Sequence, residues 1–200
     1  MYKNIIFDLG NVLLDFNPRD YLKSKISDDK LEDVFKAVFT SEEWIMLDRG
    51  TITEKEAINN IISRNSTYIN EINLAFESWY DILKPIEESI NILMSLKKNG
   101  YKIYYLSNFH QLAFAEVTKK NSFFELFDGG VVSYEEKLIK PEEDIYKLVL
   151  DRYKLNPSET IFIDDTKVNV DAANSIGIKG ILFKDSEKLR EELNSLEVKI

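Results

Sequence analysis

Hydrophobic and polar positions follow two different periods along this chain. Four short uninterrupted apolar runs, at 4–8 (NIIFD), 102–107 (KIYYLS), 160–164 (TIFID) and 180–183 (GILF), are rich in β-branched and aromatic residues. Each runs into polar residues. A run that is apolar on both faces suits a strand of a parallel sheet covered on both sides. Val131–Ser133 is a candidate fifth strand. Between these runs the period changes to that of a helix. Ile86, Ile90, Leu93 and Leu96 recur at spacings of three and four, and Gly100 stands where that helix should stop. Pro141, followed by Glu142, Glu143 and Asp144, reads as a helix start, because proline suits the first turn and acids suit the positive end of the helix dipole. Asn169, Ala172, Ala173 and Ile176 share one face, with Gly177 as C-cap. Strand–helix alternation of this kind predicts an α/β fold, a Rossmann-like core with a mainly parallel sheet between helices.

Residues 16–83 break the alternation. Leu31, Val34, Phe35, Val38 and Phe39 form one helical stripe, and Ile58, Ile61 and Ile62 a second, opened by the capping-box pattern Thr53-x-x-Glu56. Ile69, Ile72, Phe76, Trp79 and Leu83 form a third. The pattern predicts an inserted α-helical cap at 16–83 and a discontinuous core at 1–15 and 84–200. Asn17-Pro18 reads as a hinge-like link between the two. Trp44, Trp79 and the phenylalanines of this stretch read as core.

Composition narrows the function. The 200 residues carry a formal net charge of −9. That is the wrong sign for a general nucleic-acid partner or for a polybasic membrane patch. The chain has no cysteine, which removes disulfides, thiolate catalysis and thiolate metal sites. No apolar stretch approaches the ~20 residues needed to span a bilayer, and Asp8 interrupts any signal-peptide core. The sequence reads as a cytoplasmic protein and leaves its oligomeric state open.

In open parallel sheets ligands bind beyond the carboxyl ends of the strands. There the sequence places Asp8-Leu9-Gly10-Asn11, then Ser107-Asn108, then Lys140, then Asp164-Asp165 with Asn169 four residues on. Asp8, Asp164 and Asp165 concentrate negative charge, which is costly unless a cation neutralises it or a proton is held. All the donors are hard oxygens, and that points to Mg2+. An aspartate can attack phosphorus to form an aspartyl-phosphate. Ser107, Asn108 and Lys140 offer hydrogen bonds and positive charge for the oxygens of a transferring group. Taken singly, each residue also has an ordinary reading as a turn or helix cap, or as a solvated lysine. It is the order of four such signals at strand ends that favours chemistry.

The segments FDLGNVL at 7–13, LSN at 106–108, KPEEDIY at 140–146 and FIDDTKVNVDAANSIGI at 162–178 resemble the haloacid dehalogenase-like hydrolase superfamily. The helical stretch after the first motif is similar to that family's small helical cap. FDLGNV resembles the branch with glucose-1-phosphate phosphatase-like proteins. The resemblance implies a Mg2+-dependent phosphatase acting on a small phosphorylated metabolite such as a sugar phosphate. Asp8 would be nucleophile and metal ligand, and the Gly10 carbonyl and Asp165 further ligands, with Asp164 acting directly or through water. Ser107 and Asn108 would bind the phosphoryl group, Lys140 would steady the charge, and Asn169 would support the ligands from behind.

One position departs from the family pattern. The usual first motif carries a second aspartate two residues after the nucleophile, as acid and base, and here that position is Gly10. Such a group is worth ~10²–10⁴ in rate. Asp15 and the only histidine, His110, are the substitutes the sequence offers. Arg49, in the polar break Asp48-Arg49-Gly50-Thr51, has two open readings: a substrate-binding group aimed into the cleft, or a solvated arginine paired with Asp48. A phosphosugar mutase and a haloacid dehalogenase are the competing enzymes. A regulatory protein that binds phosphate without turnover is the competing non-enzyme.

Overall fold

The computed structural model describes Met1–Ile200. Its strands are β1 (Asn4–Phe7), β2 (Leu14–Asp15), β3 (Lys84–Pro85), β4 (Lys102–Ser107), β5 (Gly129–Val132), β6 (Thr160–Asp164) and β7 (Lys179–Leu182). Five of them form one parallel sheet in the order β5-β4-β1-β6-β7. The apolar runs predict a mainly parallel sheet, and the structure adds its strand order. Ile5, Ile6 and Phe7 of β1 and Ile161, Phe162 and Ile163 of β6 have no exposed surface, as central strands covered on both faces must. Alternation then divides the core. Ile5 and Phe7 belong to a cluster of 36 buried residues on one side, and Ile6 and Phe162 to a cluster of 11 on the other. Two expected strands shift towards the N-terminus: the candidate Val131–Ser133 is Gly129–Val132, at the sheet edge, and 180–183 is Lys179–Leu182.

β2 and β3 pair antiparallel, Leu14 with Pro85 and Asp15 with Lys84. Between them the chain makes five α-helices: α1 (Pro18–Lys23), α2 (Asp28–Phe39), α3 (Glu42–Arg49), α4 (Glu54–Arg64) and α5 (Ile69–Phe76). Asn17 caps α1 through its side chain. The capping box of α4 forms in both directions: Glu56 N–H donates to Thr53 Oγ1, and Thr53 N–H donates to the Glu56 carboxylate. The third stripe does not continue as one helix. α5 stops at Phe76, Ser78 takes a left-handed φ of 54°, and Trp79–Ile82 form a separate 3-10 turn. The Tyr21 hydroxyl donates to the carbonyls of Leu74 and Glu77, which fixes that break. Trp79 and Leu83 are buried all the same. Residues of the helical layer, including Val34, Leu47 and Trp79, belong to the same 36-residue cluster as the sheet residues, so apolar packing runs from one to the other.

The remaining helices are α6 (Glu87–Lys98), α7 (Gln111–Lys120), α8 (Ser133–Glu136), α9 (Glu143–Tyr153), α10 (Lys167–Ser175) and α11 (Ser186–Ser195). The start of α9 differs from expectation. Pro141 lies in the preceding turn, after a cis peptide bond, and the helix opens at Glu143. The Glu142 carboxylate accepts from the Ile139 N–H, which holds that turn outside the helix. No helix of the chain is long and apolar enough to cross a membrane.

Candidate functional site

Because β1, β4 and β6 are adjacent and parallel, their carboxyl ends meet on one edge of the sheet, and their terminal residues meet with them. Asp8 follows β1, while Ser107 ends β4 and Asp164 ends β6. Asp8 is almost wholly buried. Three donors converge on its Oδ1: the Ser107 hydroxyl at 2.6 Å, the Leu9 N–H at 2.7 Å and Lys140 Nζ at 2.9 Å. Its Oδ2 has no hydrogen-bond partner. The carboxylate is therefore oriented through one oxygen and open through the other.

Lys140 reaches the same point from the turn before α9. Its Nζ also lies 2.6 Å from Asp164 Oδ2, so one buried cation bridges two buried carboxylates. Burial alone would pull the lysine down, but the charges of Asp8 and Asp164 hold it above its ordinary value. Burial pushes the Asp8 carboxyl up to about 7. Lys140 opposes the rise and Asp164 adds to it.

Asp164, with no exposed surface, also accepts from the Thr166 N–H at 2.8 Å and from Asn169 Nδ2 at 3.1 and 3.2 Å. Asn169 thus stands behind the ligand set. Asp165 is more open; it accepts from Asn11 Nδ2 at 3.1 Å and from the Thr166 hydroxyl at 3.2 Å. Asp8, Asp164 and Asp165 each present an oxygen within 4.8 Å of the others. Three carboxylates against one lysine leave an excess of negative charge on hard oxygen donors. That donor set fits Mg2+ and not a softer metal.

Other expected residues are placed differently. Asn108 does not point a free amide at the site. Its Oδ1 accepts from the Lys140 N–H at 2.8 Å and its Nδ2 donates to the Lys140 carbonyl at 3.0 Å, so it clamps the lysine turn. Arg49 lies neither in the cleft nor against Asp48. Its guanidinium forms a two-pronged pair with Glu142, at 3.0 and 2.5 Å, and it donates to the Lys137 carbonyl. Asp15 is exposed on β2. His110 is 4 % exposed, and burial pushes its imidazole down to about 3.

A cavity of about 100 Å3 opens beside Gly10. Phe16, Trp44, Trp79 and Phe109 form apolar walls, and Asp48, Asn108 and His110 are its polar groups. The two tryptophans are therefore core and cavity wall at once. A wider cleft of about 530 Å3, between the turn joining α3 to α4 and the start of α7, shares His110 with it. Asp48 borders this cavity although the sequence does not single it out; the available signal is a carboxylate two residues before the glycine that ends α3.

The chain is similar to known proteins along nearly its whole length. A family model described as haloacid dehalogenase-like hydrolase matches residues 2–177. The sesquiterpene phosphatase astK of Aspergillus oryzae is 30 % identical over 195 residues, covering 98 % of this chain and 96 % of that protein. The D-ribitol-5-phosphate phosphatase of Bacteroides thetaiotaomicron is 22 % identical over 209 residues, covering 96 % and 97 %. Several further relatives are longer proteins of which the chain spans about a third. Among solved structures, the HAD family enzyme bt-2542 of Bacteroides thetaiotaomicron, in complex with magnesium and inorganic phosphate, superposes with a TM-score of 0.73 at 27 % identity, covering 94 % of this chain and 99 % of that one.

Proposed function

The chain belongs to the haloacid dehalogenase-like hydrolase family, and on that premise we propose that it is a Mg2+-dependent phosphatase that transfers the phosphoryl group of a small metabolite to Asp8. The observation that carries this reading is the Asp8 carboxylate. It is held on Oδ1 by Ser107, Leu9 and Lys140, and left without a partner on Oδ2. An oriented nucleophile with a free lone pair is what in-line attack on phosphorus requires. Asp8, Asp165 and the Gly10 carbonyl would hold Mg2+, with Asp164 beside them. Bound there, the ion would offset the charge that builds on the phosphoryl oxygens.

The remaining roles fall to the chain itself. Ser107 donates to Asp8 before substrate arrives, and its hydroxyl can turn to a phosphoryl oxygen. Lys140 favours the ionised form of Asp8 against the effect of burial and faces the incoming dianion. Asn108 fixes the Lys140 backbone, and Asn169 fixes Asp164. The helical layer acts as the cap and supplies most of the cavity that receives the leaving group. Its walls of Phe16, Trp44, Trp79 and Phe109 favour a leaving group with an apolar portion over a polyol, in line with the relative named as a sesquiterpene phosphatase. A phosphorylated sugar alcohol is the second reading, favoured by the relative named for D-ribitol 5-phosphate.

Phosphate release over a panel of apolar and sugar monophosphates and p-nitrophenyl phosphate, with and without Mg2+, tests the proposal beside Asp8→Asn. Release that needs Mg2+ and disappears in the variant is the expected result. No release by the wild type, with Mg2+ binding intact, would favour a regulatory phosphate-binding protein.

A further inference from the structure

We propose that Asp48, carried by the helical layer and not by the nucleophile's own loop, is the acid and base of the reaction, standing in for the aspartate absent at Gly10. The proposal rests on the phosphatase reading above and adds a residue to it.

Three features of the structure meet at Asp48. First, its place: Asp48 sits on the last turn of α3 and borders the 100 Å3 cavity that Gly10 borders from the sheet side. With no side chain at Gly10, the space beside the nucleophile is open to a group from the opposite wall. Second, the anchoring of that turn. The Asp48 carbonyl accepts from the Ser133 hydroxyl, which in turn accepts from the Phe109 N–H. The next residue, Arg49, is pinned to Glu142, and the Gly50 carbonyl accepts from Lys137 Nζ. Gly50 is in the left-handed region at φ 69°, which lets α3 end there and the chain turn away. Three consecutive residues of the helical layer are thus tied to the core edge, an expensive degree of order for a surface turn and a fitting one for a reacting group.

Third, the cavity holds an unsatisfied partner. Neither ring nitrogen of the buried His110 makes a well-formed hydrogen bond; Nε2 makes only a long contact, 3.4 Å, with Asp48 Oδ1, and the Trp44 backbone is close to the ring. Buried polar atoms are rarely left so. A leaving-group oxygen in this cavity would give the imidazole a partner.

The groups facing Asp48 are His110 from the start of α7 and Trp44 from α3; the charges of Asp8 and Lys140, which do not line the cavity, are also felt at Asp48. Burial, then the charge on Asp8, push the Asp48 carboxyl up to about 8, against Lys140. The largest cause, burial, does not depend on the ionisation of Asp8. His110 is neutral, since burial lowers it. Asp48 shares the cavity with Gly10 and is the acid; the imidazole, pushed the other way by burial, is a positioning residue. Asp15, exposed on β2, borders neither cavity.

The step balances. As Asp8 attacks, the bond from phosphorus to the ester oxygen breaks and its electron pair stays on that oxygen. The Asp48 proton passes to the oxygen, and the alcohol leaves. The Asp48 carboxylate then takes a proton from water as the water oxygen attacks phosphorus. The bond from phosphorus to Asp8 breaks, inorganic phosphate leaves, Asp8 is again a carboxylate and Asp48 is again protonated.

The test compares Asp48→Asn with wild type and Asp8→Asn on a simple alkyl phosphate and on p-nitrophenyl phosphate, whose leaving group needs no acid. The expected kcat/KM of Asp48→Asn on the alkyl ester falls by ~10²–10⁴, while that on p-nitrophenyl phosphate stays within about tenfold of wild type. The aryl ester then gives a burst of one p-nitrophenol per enzyme, with phosphorylated Asp8 accumulating. An equal fall on both esters, or no fall on the alkyl ester, overturns the proposal and leaves the phosphatase reading standing. Wild type inactive on both esters removes the two together. Should Asp48→Asn not hold its fold, the wild-type pH profile decides. A loss of kcat/KM at high pH on the alkyl ester alone supports Asp48 as acid, and the same limb on both esters refutes it.

Discussion

Replacing Lys140 with methionine keeps the unbranched stem of the side chain and removes the one cation that touches both Asp8 and Asp164. Its ammonium lies 2.9 Å from Asp8 Oδ1 and 2.6 Å from Asp164 Oδ2, on a lysine only 4 % exposed. Breaking a buried ion pair by deleting one partner leaves an uncompensated charge and costs ~3–5 kcal/mol. Asp8 relieves part of this by holding a proton near neutral pH, since its carboxyl is already pushed up to about 7. The metal-free variant should therefore lose about 3 kcal/mol, the lower end of that range. Mg2+ at a hundred times its Kd stabilises any protein that binds it by ~2.7 kcal/mol. It should stabilise Lys140→Met by more than the wild type, because the dication replaces the missing positive charge. Urea unfolding followed by circular dichroism, in EDTA and in Mg2+, measures both quantities. A loss under about 1 kcal/mol in EDTA, or an equal shortfall with and without Mg2+, would refute the role of Lys140 as charge compensation between two carboxylates.

The remaining predictions concern pH, packing and the Arg49 pair. Asp8 and Asp48 rise from 3.8 to about 7 and about 8, so above pH 4 the folded metal-free protein keeps two protons that the unfolded chain has released. His110 falls from 6.5 to about 3, so up to pH 6.5 the unfolded chain binds one proton that the folded state refuses. Two against one leaves the folded state the better proton binder. Stability in EDTA should fall as pH rises from about 5 to 7, by roughly 2–3 kcal/mol for one net proton, and go on falling until Asp48 ionises near pH 8. A urea midpoint that rises over this range contradicts the assignment. A Cβ at Gly130 would sit 2.4 Å from ring atoms of Tyr105, so Gly130→Ala should cost ~1–3 kcal/mol in the same assay. Arg49→Ala breaks an ion pair whose side chains are 30 % and 40 % exposed. It should cost under about 1 kcal/mol and leave KM within roughly threefold, and a larger rise in KM would return Arg49 to substrate binding.

The sheet and its acidic edge were legible because each depends on local patterns. A strand buried on both faces must be apolar throughout, and the polar residues that end β1, β4 and β6 are adjacent in space once the strands run parallel. That is why Asp8, Ser107, Asp164 and Lys140, read from four separate segments, meet within hydrogen-bonding distance. Misreadings arose where a side chain found a partner far away in sequence. Arg49 reads from sequence as aimed into the cleft or paired with Asp48, because its actual partner Glu142 is 93 residues on. Asn108 looked free because its partner is the backbone of Lys140, 32 residues on. The third helical stripe looked continuous because the hydroxyl of Tyr21, which holds its break, lies more than 50 residues away.

Asp48 belongs to the same class of hidden residue, and the reason bears on how the site works. A nucleophile and an acid on one loop move together. Here the nucleophile stands on the sheet edge and the proposed acid on a helix of the layer above it, so the acid reaches the leaving group only while that layer is seated. Ser133, Glu142 and Lys137 hold the α3 terminus to the core edge, and all three lie in or beside the segment that also presents Lys140. The segment that positions the charge on the nucleophile thus also positions the proton for the leaving group. With Asp48 as the acid, an ester too large to let the α3 terminus keep these contacts would be bound and yet not turned over. Gly10 in the first motif is, on this view, the counterpart of Asp48 in the third helix, since the space one gives up is the space the other faces.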